Sequence, residues 1–105
     1  MARTPIHPGE ILADELKELG MSAAEMARLL HVPKSRITQI VAGKRAITAD
    51  TALRLGRWLG TGPELWMNLQ KSYELRLAQK HIGKEIERTI STRSHRPSDP
   101  APAHP

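Results

Sequence analysis

The chain has 105 residues, a formal net charge of +5, no cysteine and no phenylalanine. That length supports one small core, which Leu, Ile, Val, Met and Ala must fill, and the missing cysteines exclude disulfides, thiolate metal sites and cysteine nucleophiles together. No apolar run approaches the roughly 18 residues of a membrane span and no signal-like hydrophobic segment is present, so a cytoplasmic protein without a membrane partner is expected.

Helical periodicity dominates and strand signals are missing, which gives an all-α expectation. Residues 1–7 read as a flexible N-terminal arm. Pro8, preset for a first helical turn, opens a helix with Ile11, Leu12, Leu16 and Leu19 on one face, and Gly20 closes it. Ser22 followed by Glu25 forms a capping box, after which Ala23, Met26, Ala27 and Leu30 make the buried stripe of a second helix. His31, Val32 and Pro33 are the turn. A third helix buries Ile37, Ile40 and Val41 and ends at Gly43, which leaves Ser35, Arg36, Thr38 and Gln39 facing outward.

Thr48 caps a fourth helix with Ala52, Leu53 and Gly56 on one side and Leu55 and Leu59 beside them; Gly60 ends it. Pro63 starts a fifth, in which Trp66, Leu69, Tyr73 and Leu77 recur at helical spacing. The apolar series Leu75, Ala78, Ile82, Ile86 and Ile90 extends this helix towards residue 90, with Gly83 as a candidate break. The expected organisation is therefore an arm over 1–7, a folded domain over 8–78, a helical extension over 79–90 and a disordered Pro-rich tail over 91–105.

A helix, a tight turn and a second helix with short polar side chains near its start are the layout of a helix-turn-helix, whose second helix lies in the major groove. Charge agrees with this. Residues 28–57 carry Arg28, Lys34, Arg36, Lys44, Arg45, Arg54 and Arg57 against Asp50 alone, a local balance of +6. A basic stripe on the reading unit suits a polyanion, since each cation that neutralises a phosphate releases counterions. A solvated basic face is the bland alternative, and for Arg54 and Arg57 it is the stronger one.

His7-Pro8-Gly9-Glu10-Ile11-Leu12, the helix-turn-helix, Gly43-Lys44-Arg45-Ala46-Ile47, and Glu64-Leu65-Trp66-Met67-Asn68-Leu69-Gln70 with Tyr73-Glu74-Leu75 together resemble the HigA family, antitoxins of the HigBA type within the XRE class. The likeness covers about residues 5–90. It implies a lambda-repressor-like five-helix fold, an operator-binding homodimer that represses its own operon, and direct neutralisation of a HigB-like toxin, a RelE-like messenger-RNA endonuclease. It implies no enzyme activity and no cofactor. The family's reading helix falls on Lys34 to Val41. Arg36 would bridge guanine O6 and N7 or clamp a phosphate, and Gln39 would pair with adenine or another base. Ser35 and Thr38 suit base edges or phosphates, with helix capping an equal reading for Ser35. Lys44 and Arg45 fit phosphate clamping. Where many XRE-class proteins carry Gln after the cap of helix two, this chain has Ala23, although Ser22 leaves that helix end open to a phosphate.

A single helix-turn-helix reads few base pairs, so a palindromic operator and a homodimer are expected. Trp66, Leu69, Tyr73, Ile82 and Ile86 are the candidate dimer interface, with core packing the competing role for the aromatic stripe. Glu15 and Glu18 on helix one are the candidate contacts to a basic toxin. His7, His31 and His81 are too scattered for a metal site. An XRE-class regulator without a toxin, and a protein-binding module, are the alternatives.

Overall fold

Each helix boundary has a local cause. The computed structural model describes residues 4–93, in which α1 spans Pro8–Leu19, α2 Ala23–Leu30, α3 Lys34–Val41, α4 Ala49–Leu59 and α5 Pro63–Thr89, with no strand among the described residues. Residues 1–3 of the expected arm and 94–105 of the expected tail lie outside the described residues. Pro8 occupies the first turn of α1 as its fixed φ requires, and the Ser22 box forms: Glu25 N–H donates to Ser22 Oγ at 3.1 Å and Ser22 N–H to Glu25 Oε1 at 2.8 Å.

Helices α1 and α2 stop in the same way. Gly20 and His31 adopt left-handed φ values of 65° and 59°, which turns the chain and lets Met21 N–H reach Leu16 O and Val32 N–H reach Ala27 O, at 2.9 and 3.0 Å. The second of these reversals is the turn of the helix-turn-helix. Pro33 then sets an extended backbone and α3 begins.

The core takes Leu12 and Leu16 from α1, Met26, Ala27 and Leu30 from α2, Ile37 and Ile40 from α3, Ile47 from the following loop, Ala52 and Leu55 from α4, and Trp66 from α5. Helix α3 packs on α2 and α1, while α4 lies along the first half of α5. Two expected core positions differ. Leu19 and Leu53 are exposed, the latter at 60 %, because Leu12, Leu16, Ala52 and Leu55 already define the inward faces of their helices. Gly83 makes no break: α5 is continuous to Thr89 and crosses the expected boundary at residue 78, since a single helical glycine costs only about 1 kcal/mol against alanine. His7, the end of the expected arm, is buried.

Backbone approaches backbone most closely at Gly9, where an added Cβ would lie 1.8 Å from the carbonyl oxygen of Ile40. The start of α1 therefore rests directly on the end of α3. At Gly56 a Cβ would meet Gly62 at 2.3 Å, which brings α4 against the start of α5. Gly9→Ala should force α1 away from α3 and destabilise the fold by about 2 kcal/mol, as overpacking does elsewhere; urea denaturation at neutral pH measures it, and an unchanged midpoint would show that the contact relaxes without cost.

Candidate nucleic-acid interface

Burying Ile37 and Ile40 turns the opposite side of α3 to solvent, where Lys34, Ser35 and Gln39 are exposed and Arg36 and Thr38 are half-buried. The cap of α3 is Pro33 and no side chain bonds there, so capping is not the role of Ser35; its carbonyl instead accepts from Thr38 Oγ at 3.3 Å. Ser22 is different. Its oxygen and backbone N–H are both engaged with Glu25, whose carboxylate occupies the amino end of α2 where a phosphate was expected. The Ser22 backbone N–H that donates to Glu25 holds that carboxyl below the usual range, so the negative charge persists.

Arg36 is not a loose side chain. Its Nη1 donates to Asp50 Oδ2 at the first turn of α4, and Arg54 Nε donates to the same oxygen at 3.1 Å. Arg54 also reaches back with Nη1 to the carbonyls of Leu30, at 2.8 Å, and His31, at 3.4 Å. These are carbonyls at the end of α2 that the helix leaves without intrahelical partners, and a cation suits that end of the helix dipole. Arg54 therefore fits neither the solvated face nor a phosphate clamp: it ties α4 to α2. Asp50 is held below the ordinary carboxylate range, first by the Arg54 hydrogen bond and then by Arg36.

Lys44 and Arg45 are exposed on the loop between α3 and α4, and that loop is fastened at both ends. Lys44 N–H donates to Gln39 O at 2.8 Å, and Ile47 N–H donates to Oε1 of the buried Gln70 on α5, also at 2.8 Å. Gln70 Nε2 in turn donates to Glu74. Arg36 and Arg45 line one open depression with Ala46, Thr48 and Thr51, so the outer face of α3 and the basic loop form one surface.

His7 lies against the same loop, beside Gly43, Lys44 and Arg45. Its Nδ1 accepts from Gly9 N–H at 2.8 Å, its backbone N–H donates to Glu10 Oε2 at 3.3 Å, and its ring sits edge-on to Tyr73 with centroids 4.8 Å apart. The sequence HPGE holds a readable signal for this cap, since proline at the first helical position and glutamate at the third mark residue 7 as the N-cap. By contrast, nothing in the sequence relates Arg36 to Asp50, Ile47 to Gln70 or His7 to Tyr73, which are brought together by packing alone.

Trp66 does not belong to a dimer surface. It is 1 % exposed, packed in the core of its own chain, with its indole N–H on Thr61 Oγ at 3.0 Å. Leu69 and Tyr73 are half-buried against the core and His7, whereas Ile82 and Ile86 are 50 % and 43 % exposed.

Burial lowers the His7 pKa from its ordinary 6.5, against the opposing pull of the Glu10 charge and the Arg45 backbone. The unfolded chain therefore binds more protons just below pH 6.5, and the contribution of neutral His7 to stability falls as pH drops through that value towards the folded pKa. Urea midpoints at pH 7.5 and 5.5 should show this loss. His7→Asn, which still caps but does not titrate, should lose less over the same interval; equal losses would place the pH dependence elsewhere.

The helix-turn-helix family model matches residues 12–66, which covers all of α2, α3 and α4. Virulence-associated protein I of Dichelobacter nodosus is 53 % identical over 76 residues, 71 % of this chain and 70 % of that protein. An addiction module antidote protein of the HigA family from Coxiella burnetii superposes with a TM-score of 0.84 at 52 % identity, over 86 % of this chain and 99 % of that one. The antitoxin HigA of Pseudomonas aeruginosa, solved with the higBA promoter, gives a TM-score of 0.82 at 48 % identity, over 85 % and 98 % of the two chains. The chain belongs to the helix-turn-helix regulators of the XRE class and is closely related to the HigA antitoxins.

Proposed function

We propose that this protein is a sequence-specific DNA-binding antitoxin of a HigBA-like toxin-antitoxin system. It represses its own operon as a homodimer and neutralises a HigB-like, RelE-type messenger-RNA endonuclease in the cytoplasm by direct binding. The observation that carries the DNA reading is the polar outer face of α3 set beside the fastened Lys44–Arg45 loop, on a fold shared at 48 % identity with an antitoxin solved with its promoter.

The side chains divide by what they can reach. Arg36 and Gln39 carry paired donors and acceptors suited to guanine and adenine edges, and Ser35 and Thr38 suit base edges or phosphate. Lys34, Lys44 and Arg45 suit phosphates and set register without reading sequence, and Ser22 adds a hydroxyl donor. The toxin half rests on kinship with a HigA-family antidote protein and on Glu15 and Glu18 of α1, acidic groups suited to a basic partner.

Arg36→Ala should cost about 1–3 kcal/mol on the promoter duplex of the protein's own operon and little on a scrambled duplex. Lys44→Ala should instead weaken both alike and reduce the slope of log affinity against log salt by about 1. Fluorescence anisotropy across a salt series checks both, and equal, steeply salt-dependent binding to the two duplexes would remove the sequence-reading function. Toxin neutralisation should survive Arg36→Ala if the two surfaces are separate.

The homodimer is supported by the outer half of α5. There Leu75, Ile82 and Ile86 are exposed on a helix that has left its own core, and Ile90, the residue that ends it, is exposed at the next four-residue step. Such a stripe gains by burial against a second copy, and a palindrome needs two reading helices about 34 Å apart or a multiple of that. Ile82→Glu with Ile86→Glu should convert a dimer to a monomer by light scattering and lower operator affinity at least about tenfold. An unchanged mass would move the interface elsewhere.

A further inference from the structure

Asp50 is the single carboxylate among the seven cations of residues 28–57, and it lies against the one arginine of the reading helix. A carboxylate beside DNA repels phosphate, so its position calls for a physical reason. Helix capping supplies part of one, since an acid in the first turn of α4 suits the helix dipole and pairs with Arg54 at i,i+4. It does not account for the bond to Arg36, fourteen residues away on another helix.

We propose that Asp50 is a positioning residue that sets the sequence specificity of Arg36, with Arg54 as its anchor. The inference rests on the reading of Arg36 as a base-contacting side chain. A guanidinium has five N–H donors in a rigid planar fork. With Nη1 directed at Asp50, the Nε–Nη2 edge remains to span two acceptors, and guanine O6 and N7 are such a pair. The carboxylate acts in two ways. It holds a long side chain in one rotamer before DNA arrives, which lowers the ordering cost of the specific contact. It also offsets the positive charge of Arg36, so that a lone phosphate attracts this arginine less than it would a free one.

The geometry that fixes Asp50 is itself anchored. Arg54 bonds Asp50 through Nε and the α2 carbonyls of Leu30 and His31 through Nη1. The turn between α2 and α3, the start of α4 and the reading side chain are thereby linked through one arginine and one carboxylate. Asp50 is half exposed, so the contacts with Arg36 and Arg54 contribute little to stability as surface pairs and matter through geometry.

The test is a double-mutant cycle of Asp50→Asn and Arg36→Ala, read as the ratio of affinities for the native promoter duplex and a scrambled duplex of equal composition. Asp50→Asn keeps the side-chain shape and removes the charge. It should tighten the scrambled duplex about threefold, loosen the promoter by a similar factor, and so lower the ratio by about tenfold. In the Arg36→Ala background it should leave the ratio unchanged. Asp50→Ser, which keeps a residue suited to the start of a helix, repeats the measurement if the asparagine variant folds poorly, and circular dichroism reports folding for both. If Arg36→Ala lowers the ratio and Asp50→Asn does not, Asp50 is a surface ion pair and the inference is overturned while the reading of Arg36 stands. If Arg36→Ala leaves the ratio intact, the reading of Arg36 fails and the inference falls with it.

Discussion

An eight-residue helix does not hold itself together in water, because nucleation costs more than so few hydrogen bonds return. Helix α3 exists only through its neighbours, and the outer face that it presents depends on that. Ile37 and Ile40 are fully buried against α1 and α2, and the carbonyl of Ile40 lies under Gly9 with no room for a side chain between. These contacts fix both the rotation and the height of α3. Rotation decides which residues point outward; height decides how far they reach. A methyl group at position 9 would alter the second without touching any residue of the interface.

The loop after α3 is held by a different means. Loops carry polar backbone that must find partners, and here the partners are side chains from distant segments: Gln70 from α5 accepts from Ile47, and His7, the cap of α1, lies beside Gly43 and Tyr73. Two buried polar residues therefore connect the basic loop to the first and last helices. This explains why α5 belongs to the DNA-binding unit along its first half although it makes no part of the helix-turn-helix. It also explains why that half is packed and the second half is not: Trp66 and Gln70 are buried, and the stripe from Leu75 to Ile90 has no core to meet.

The helices, the Ser22 capping box and the orientation of α3 were legible because each is set by residues within one turn of one another, as in Ser22 with Glu25 and Ile37 with Ile40. The outward residues of the candidate site followed from the same periodicity. What sequence could not show was contact between segments. Trp66 shares the spacing of Leu69 and Tyr73, and period alone does not say which side chain of a stripe enters the chain's own core and which is left for a partner. Leu53 failed for the same reason: on α4 it is adjacent to Ala52, and a rotation of 100° separates a core position from an exposed one. Arg54 read as a surface charge because its partners, Leu30 and His31, are backbone carbonyls more than twenty residues away.

Net charge is also a poor measure of how many phosphates this surface can hold. Of the seven cations between residues 28 and 57, Arg36 and Arg54 have intramolecular partners in Asp50 and the end of α2. Lys34 lies exposed on the outer face of α3 at its start, and Lys44 and Arg45 lie exposed on the loop after it. Counterion release grows with the number of phosphates neutralised, so under the proposed function salt-dependent affinity would belong to these cations. Arg36, half-buried and held by a carboxylate, would on the proposed function add little to that term and present an oriented planar donor pair. Under the proposed function, strength and selectivity would fall to different side chains on one small surface, and the carboxylate that weakens the first would favour the second.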